Sequence, residues 1–269
     1  KSIWKEETDM KIEGIIFDWA GTTVDYGCFA PVQAFAEVFH AFGMEVTMEE
    51  TRKPMGMLKR DHIKTMLEMP RIKRLWKSAH GRAVTEADID AMHDTFTEKL
   101  MSILDQFADP KPYVVETIAR LRAMGLAIGS TTGYTDQMMA VVTRVAKEKG
   151  YAPDFWISPN SVDNYGRPYP YMIFENLKQL HIRDVHAAVK VGDTISDIKE
   201  GVAAGVISVG ILEGSSLMGL MQTEYEALST QEKEALCARL RKEYIQAGAD
   251  YVVQDIRELP ALIQELNDK

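Results

Sequence analysis

The sequence predicts an α/β fold, a doubly wound parallel sheet interrupted by an inserted helical cap domain. Two observations predict it. The first is a set of six short apolar runs separated by amphipathic segments, the pattern of parallel strands covered on both faces. The runs lie at residues 12–19, 126–132, 154–158, 187–193, 206–211 and 249–255. The second is that roughly a hundred residues separate the first run from the next, far more than an ordinary connection, so an insertion must fill the gap.

The insertion has helical periodicity throughout residues 30–108. The clearest stretches are 31–42, 58–69 and 85–107, and Thr85 is a suitable N-cap for the last. We therefore predict a core domain made of residues 1–25 and 109–269 and a helical cap domain over residues 26–108. The residue pattern of 230–248 predicts an amphipathic helix toward the end of the sequence, with a solvated charged face.

Composition limits the possible partners. The 269 residues carry a formal net charge of -9, which argues against nucleic acid and against anionic membrane surfaces. No apolar run reaches 18 residues and KSIWKEETDM has no apolar signal core, so we expect a cytoplasmic protein. Cys28 and Cys237 lie far apart and do not suggest a disulfide framework. An anionic substrate would need local positive charge.

Polar residues end three of the apolar runs. The first run ends at Asp18, the second at Thr131 and Thr132, and the fourth continues into Asp193 and Asp197. Ligands of open parallel sheets collect beyond the carboxyl ends of the strands, and paired carboxylates there suit Mg²⁺. A single strand-end aspartate can simply cap the next helix. Because three runs end in polar residues of this kind, a ligand-binding site is favoured over helix capping.

FDWAGTTVD, GSTTGY and VGDTISD resemble the first, second and fourth motifs of the haloacid dehalogenase (HAD) superfamily of aspartate-nucleophile phosphotransferases. The resemblance covers nearly the whole chain and implies a HAD-like core. It implies that Asp18 attacks phosphorus, that Thr132 or less favourably Thr131 binds the phosphoryl group, and that Asp18 and Asp193 hold Mg²⁺. Asp197, one helical turn beyond Asp193, could steady metal-bound water.

The basic residue of the third motif is often lysine in that superfamily. Here NYGRPYP suggests Arg167 instead, whose planar fork suits a phosphonate or phosphate. A structural role for Arg167 in a Gly-Pro turn is the alternative.

Ala20 departs from the phosphatase form of the first motif. Phosphatases and mutases of the superfamily have an aspartate there, which protonates the departing alkoxide. Ala20 offers only its backbone carbonyl, which suits metal coordination but not proton transfer. The leaving group must therefore be stabilised by something else.

KPMGMLKRDHIK (53–64) supplies a candidate. Gly56 breaks the chain, so Lys59 falls in the first turn of the following helix. The positive helix end and the neighbouring Arg52, Lys53, Arg60 and Lys64 would favour the neutral amine that attack on an aldehyde requires. The alternative is a basic, solvated face that attracts an anionic substrate.

Cleavage of a carbon–phosphorus bond would explain both the missing acid at Ala20 and the lysine at position 59. An imine between Lys59 and an aldehyde beta to phosphorus would accept the electron pair of the broken bond. DWAGTTVDYG, MGMLKRDH, STTGYT and GRPYP resemble the phosphonatases of the superfamily, which release acetaldehyde and phosphate from phosphonoacetaldehyde. The resemblance implies a Lys59 imine, an Asp18 aspartyl phosphate and a homodimer formed through the cap. Supporting candidates are His62, a possible proton shuttle, with Tyr134, Met55 and Cys28 near the cleft.

Two other functions stay open at this point. A phosphomonoester hydrolase or phosphomutase would keep the fold, but Ala20 speaks against both. A phosphorylated signalling receiver also has an aspartate in an α/β sheet, but it needs neither a long helical insertion nor the cap lysine.

Overall fold

A six-stranded parallel sheet with the order β3-β2-β1-β4-β5-β6 forms the base of the fold. The computed structural model describes residues 11–269, so the expectation about a signal segment at 1–10 lies outside the described residues. The strands are β1 (Gly14–Phe17), β2 (Ala127–Thr131), β3 (Phe155–Ile157), β4 (Ala188–Gly192), β5 (Ile207–Ile211) and β6 (Tyr251–Val253). Each lies within one of the six apolar runs, which confirms the predicted α/β class.

The strand order reverses between β1 and β4, which is where open parallel sheets have their ligand crevice. Phe17 at the end of β1 pairs with Ser130 of β2 and with Val191 of β4. Because the three strands are parallel and in this register, the residues that follow them emerge at the same edge. The sheet therefore brings the predicted strand-end residues together.

Five α-helices of the described chain fill most of the predicted insertion between β1 and β2. They are α1 (Phe29–Ala41), α2 (Met48–Arg52), α3 (Lys59–Glu68), α4 (Pro70–His80) and α5 (Glu86–Ile103). Thr85 caps α5 through a reciprocal pair of hydrogen bonds with Asp88, as predicted. The boundaries of the cap domain at residues 26 and 108 stay a prediction.

The remaining helices of the described chain cover the sheet. They are α6 (Val114–Ala123), α7 (Asp136–Glu148), α8 (Tyr171–Gln179), α9 (Ile195–Ala204), α10 (Gln222–Ala227), α11 (Thr230–Ala247) and α12 (Leu259–Asn267). The predicted helix at 230–248 is α11. Within residues 11–269, no helix has both the length and the apolar character needed to cross a membrane.

One hydrophobic core runs through both the sheet and the insertion. It includes Ile15 and Phe17 of β1 as well as Phe35 of α1 and Phe96 of α5, all fully buried. The rings of Phe35 and Phe96 stack with their centroids 4.2 Å apart. The insertion is therefore packed on the sheet edge that carries the polar strand ends.

Candidate active site

Asp18 follows β1 directly and lies in the crevice at the strand reversal. The Asp18 N–H donates to the Val191 carbonyl (2.9 Å), and the Asp18 carbonyl accepts from the Thr23 hydroxyl (3.0 Å). The tight turn that follows requires Gly21, which has a φ of +89° and whose Cβ would lie 2.2 Å from an Asp193 carboxylate oxygen. The local chain path thus sets two predicted aspartates side by side.

Asp193 follows β4 and is fully buried. One carboxylate oxygen accepts from the Thr22 hydroxyl (2.8 Å) and the other from the Ser216 N–H (2.7 Å). These donors belong to the loops after β1 and β5, so both neighbouring strands orient the carboxylate. Burial, reinforced by the negative charges of Asp18 and Asp197, raises the pKa of Asp193 well above its usual range.

Three carboxylates form a cluster that could hold a metal ion. Ligand atoms of Asp18, Asp193 and Asp197 all lie within 4.8 Å of one another. Their hard oxygen atoms are chemically suited to a divalent cation such as Mg²⁺. Asp197 is also held by protein groups, because its Oδ2 accepts from the Thr194 hydroxyl (2.6 Å) and its Oδ1 lies 3.0 Å from Arg167 Nη1.

Arg167 is the centre of a buried ionic network. Its Nη2 lies 2.6 Å from Asp18 Oδ1, its Nη1 3.0 Å from Asp197 Oδ1 and its Nε 2.9 Å from Glu200 Oε2. Burial alone would lower the pKa of Arg167, but the facing carboxylates outweigh it and raise that pKa above its usual value. Arg167 therefore does more than complete a turn, since its guanidinium faces the predicted nucleophile.

Two members of this network, Lys190 and Glu200, are missing from the site predicted by sequence. Lys190 Nζ lies 3.0 Å from Asp197 Oδ1 and 3.4 Å from Glu200 Oε2, and both residues are fully buried. A signal was present. Lys190 is a charged residue between two valines of an apolar strand, and Glu200 lies about one helical turn after Asp197 on α9.

The two candidate threonines differ in their surroundings. The Thr131 hydroxyl accepts from Arg167 Nη2 and from Lys190 Nζ, both at 2.9 Å, and donates to Glu200 (3.0 Å). Thr132 lines the cavity instead, where its oxygen accepts the Tyr134 N–H (3.0 Å). Within residues 11–269 the Thr132 hydroxyl donates to no protein group, so it is the one free to bind a ligand.

Lys59 is the first residue of α3, as predicted, and extends into the cavity. It is 3% exposed, and no carboxylate of the described chain lies within ion-pair distance of it. Its Nζ lies 5.0 Å from the centroid of the Tyr134 ring. Burial is the largest influence on the amine and lowers the pKa of Lys59 below that of an ordinary lysine.

The basic neighbours of Lys59 have a different place from the one expected. Arg60 and Lys64 both pair with Glu86 on the surface of the insertion, at 2.8 and 2.9 Å. They form the solvated basic face that the sequence left as an alternative, but Lys59 does not belong to it. Desolvation is therefore the main reason why the neutral amine is favoured.

The site is a small cavity between the sheet and the insertion, with a volume of about 260 Å³ that includes space open to solvent. Of the residues predicted for the site, all line it except Asp193, Asp197, His62 and the less favoured Thr131. Cys28, Met55 and Tyr134 are each almost fully buried in its wall, as expected for cleft residues. The Tyr134 hydroxyl has no hydrogen-bond partner among the described residues.

His62 lies behind the cavity wall. Its Nε2 is 2.8 Å from the Thr51 carbonyl oxygen, and its ring stacks on Phe35 with 3.8 Å between centroids. Burial, with the positive charge of Lys59, lowers the pKa of His62 well below its usual value. Neutral His62 therefore donates its Nε2 proton to Thr51, and its role in the reaction stays a prediction.

Within residues 11–269, no second acid in the cavity takes the place of the aspartate that phosphatases have at the position of Ala20. Among the described residues that line the cavity, Asp18 is the only carboxylic acid. The nearby Asp25 serves α1 instead, because its carboxylate accepts the N–H groups of Phe29 (2.9 Å) and Ala30 (3.0 Å). The cavity thus offers one carboxylate, one buried amine and one guanidinium.

The chain belongs to the haloacid dehalogenase-like hydrolase family, whose model matches residues 12–205. This confirms the family that the three sequence motifs indicated.

Named relatives are more specific. The chain is 50% identical over 260 residues to the phosphonoacetaldehyde hydrolase of Lysinibacillus sphaericus, with 97% of each chain covered. It is 48% identical to a bifunctional phosphonoacetaldehyde hydrolase/aminoethylphosphonate transaminase of Clostridioides difficile, of which it covers 41%. The crystal structure of a phosphonoacetaldehyde hydrolase-like protein from Oleispira antarctica matches with a TM-score of 0.94 at 36% identity, covering 99% of this chain and 97% of that one.

Proposed function

We propose that the protein hydrolyses the carbon–phosphorus bond of phosphonoacetaldehyde to acetaldehyde and phosphate. The observation that carries the proposal is Lys59, a buried lysine with no carboxylate partner among residues 11–269, in one small cavity with Asp18 and Arg167. The names of relatives at 50% and 48% identity support the same reaction.

Lys59 is the proposed electron sink. Its neutral amine adds to the aldehyde carbon, and loss of water leaves a protonated imine. The lowered pKa of Lys59 supports this step, because it increases the fraction of free amine. The iminium nitrogen then withdraws electrons from the carbon attached to phosphorus.

Asp18 is the proposed nucleophile. One of its carboxylate oxygens attacks phosphorus, and the carbon–phosphorus bond breaks. That electron pair forms a carbon–carbon double bond while the imine pair moves onto nitrogen, which gives a neutral enamine and an aspartyl phosphate. Arg167 and Thr132 would bind the phosphoryl oxygens as they move. No alkoxide leaves, so Ala20 is sufficient where phosphatases need an acid.

Two water molecules complete the cycle. One attacks phosphorus in the aspartyl phosphate, releasing phosphate and regenerating Asp18. The enamine takes a proton on carbon, and the second water hydrolyses the resulting imine to acetaldehyde and Lys59. Because imine formation released one water, the net reaction consumes one.

Mg²⁺ is the proposed cofactor, with Asp18, Asp193 and the backbone carbonyl of Ala20 as ligands. The three-carboxylate cluster supports this, as does the complete burial of Asp193 beside two other carboxylates. When bound, the ion would reduce the repulsion between the Asp18 carboxylate and the anionic phosphonate. Asp197 would orient water next to it.

We also propose a cytoplasmic homodimer that associates through the helical insertion. Light scattering after size-exclusion chromatography tests the dimer directly. A monomer at micromolar concentration would contradict it.

A substrate comparison tests the proposed activity. With Mg²⁺, the protein should release acetaldehyde and phosphate from phosphonoacetaldehyde in equal amounts, and it should turn over a panel of phosphate monoesters and sugar phosphates far more slowly. Faster turnover of any ester would favour the phosphomonoesterase or mutase alternative instead. Trapping of a stable aspartyl phosphate without turnover would favour a receiver.

A further inference from the structure

Arg52, the last residue of α2, contacts two segments that lie outside the five α-helices of the insertion. Its Nη1 donates to the carbonyl of Gly27 (2.7 Å), in the segment between β1 and α1, and to the carbonyl of Ser216 (3.1 Å), in the loop after β5. The guanidinium also lies 4.8 Å from the centroid of the Phe29 ring. Both hydrogen-bond acceptors therefore lie outside the helices of the insertion.

The stability of the insertion itself does not account for this placement. Within residues 11–269 Arg52 makes no ion pair, and its Nη2 is buried without a partner. Burying a guanidinium without a carboxylate has a cost in free energy. By contrast, Arg60, Arg71 and Arg82 each pair with a carboxylate of the insertion. Arg52 thus serves the junction between the insertion and the sheet.

Ser216 connects this junction to the carboxylate cluster. Its carbonyl accepts from Arg52, and its N–H donates to Asp193 Oδ2 (2.7 Å). Ser216 is only 1% exposed, so neither contact is shared with bulk water. Movement of α2 away from the sheet would remove a donor from the Ser216 carbonyl, whose peptide unit adjoins the one that contacts Asp193.

We infer that Arg52 is a positioning residue that holds the insertion closed over the active-site cavity and, through Ser216, keeps Asp193 oriented. The cavity is lined by Met55 and Lys59 of the insertion and by Asp18 and Thr132 of the sheet, so it opens when the two separate. The claim that Arg52 orients Asp193 as a metal ligand rests on the proposed function. The claim that Arg52 holds the insertion closed does not.

Cys28 reports on closure without substrate or metal. It is 3% exposed in the cavity wall, while Cys237 on α11 is only partly buried and serves as an internal reference. In Arg52→Met, iodoacetamide should alkylate Cys28 about tenfold faster or more than in the wild type, at an unchanged Cys237 rate. Peptide mass spectrometry measures both rates. An unchanged Cys28 rate would overturn the inference.

Loss of the Arg52 charge cannot by itself make the alkylation of Cys28 faster. Burial raises the pKa of Cys28 well above its usual range and the positive charge of Arg52 opposes this rise, so removal of that charge alone would reduce the reactive thiolate and slow the alkylation. A faster reaction therefore reports exposure.

Two further variants make the test specific. Arg71→Met removes an arginine that binds Glu50 of α2 within the insertion, and it should keep Cys28 protected. Arg52→Lys retains the charge but loses the planar guanidinium fork, and it should give an intermediate rate. If Arg71→Met exposed Cys28 as much as Arg52→Met does, general loosening of the insertion would be the cause and the inference would be wrong.

Calorimetric titration with Mg²⁺ tests the connection to Asp193. Arg52→Met should bind Mg²⁺ about tenfold more weakly than the wild type, because loss of the Arg52 contact to Ser216 leaves the Asp193 carboxylate less well oriented. Arg71→Met should bind Mg²⁺ with the affinity of the wild type. Equal affinities of Arg52→Met and wild type would refute the Ser216 connection. No detectable binding by the wild type would instead refute the proposed metal site, and the alkylation result would still stand.

Discussion

Arg167 Nη2 lies 2.6 Å from Asp18 Oδ1 in a wall of the cavity where both side chains are almost fully buried. The other guanidinium nitrogens of Arg167 contact Asp197 and Glu200, so its whole fork is in use. The proposed nucleophile and the cation that would bind the phosphoryl group are thus paired before substrate arrives. In the proposed mechanism, an entering phosphonate would replace one of these contacts.

Arg167→Lys should therefore be a severe change despite its unchanged charge. A lysine cannot contact Asp18, Asp197 and Glu200 together, and loss of one charge-assisted hydrogen bond contributes about 1.5–3 kcal/mol, or roughly a 10- to 150-fold loss in kcat/KM. Steady-state kinetics measures it. Arg183→Lys is the control, since Arg183 is exposed and its side chain pairs only with Glu13 in the described part of the chain, and it should behave as wild type. A wild-type kcat/KM for Arg167→Lys would contradict the assignment.

Mg²⁺ should be required for turnover. Asp193→Ala should abolish activity at ordinary Mg²⁺ concentrations while leaving the circular dichroism spectrum intact, because it removes a ligand from the cluster. Asp109→Ala, which removes an exposed partner of Lys149, is the matched control. Undiminished activity after exhaustive chelation would show that the reaction needs no metal.

Restoring an acid at position 20 should not improve the proposed reaction. The leaving group is an enamine, so Ala20→Asp has no alkoxide to protonate, and its carboxylate would crowd the metal and repel the phosphonate. Turnover of phosphonoacetaldehyde by Ala20→Asp should fall. A rise in that rate would mean that the missing acid had been interpreted wrongly.

The pH profile should report the Lys59 amine. Only the neutral amine attacks the aldehyde, so kcat/KM falls as pH drops through the pKa of Lys59. Because burial lowers that pKa, activity should reach its plateau below the ordinary lysine value of about 10.4. A profile that continued to rise to that value would show an ordinary, solvated lysine.

The sheet could be predicted because each strand is a short apolar run between amphipathic segments. The runs at 154–158 and 249–255 gave strands of three residues, β3 and β6, which are shorter than the runs. Both lie at the edges of the sheet and pair on one side only, so fewer residues meet a partner. Strand existence follows from the local pattern, whereas strand length depends on neighbours.

The candidate site could be predicted where a residue directly follows a strand, as Asp18, Thr132 and Asp193 do. A lysine inside an apolar strand marks Lys190 as unusual, but its role depends on contact with Thr131, 59 residues away in another strand, which the local pattern does not give. His62 shares a helix face with Lys59 by spacing, but that face meets Phe35 at His62 and the cavity at Lys59. Helical spacing alone does not distinguish the two.

The reason for the lowered Lys59 pKa was also beyond the sequence. Charge near a residue can be counted along the chain, but desolvation depends on how the insertion closes over the sheet. Tyr134 and Cys28, which lie far apart in sequence, both line the cavity beside Lys59. The amine is therefore buried by parts of the chain that no local pattern relates to it.

The central claim is that Lys59 becomes covalently bound to the substrate before phosphorus is attacked. Lys59→Arg keeps the charge but cannot form an imine, so it should be nearly as inactive as Lys59→Ala. If Lys59 merely attracted the anion, arginine would restore most of the activity, with a loss of only about 1 kcal/mol.

Borohydride reduction in the presence of phosphonoacetaldehyde, followed by peptide mass spectrometry, tests this claim most directly. The wild type should carry a reduced two-carbon adduct on Lys59, and neither Lys59→Arg nor Lys59→Ala should carry one. An adduct on Lys53 or Lys64 would keep the imine but refute the assignment to Lys59. Absence of any adduct, together with an active Lys59→Arg variant, would contradict the imine mechanism itself.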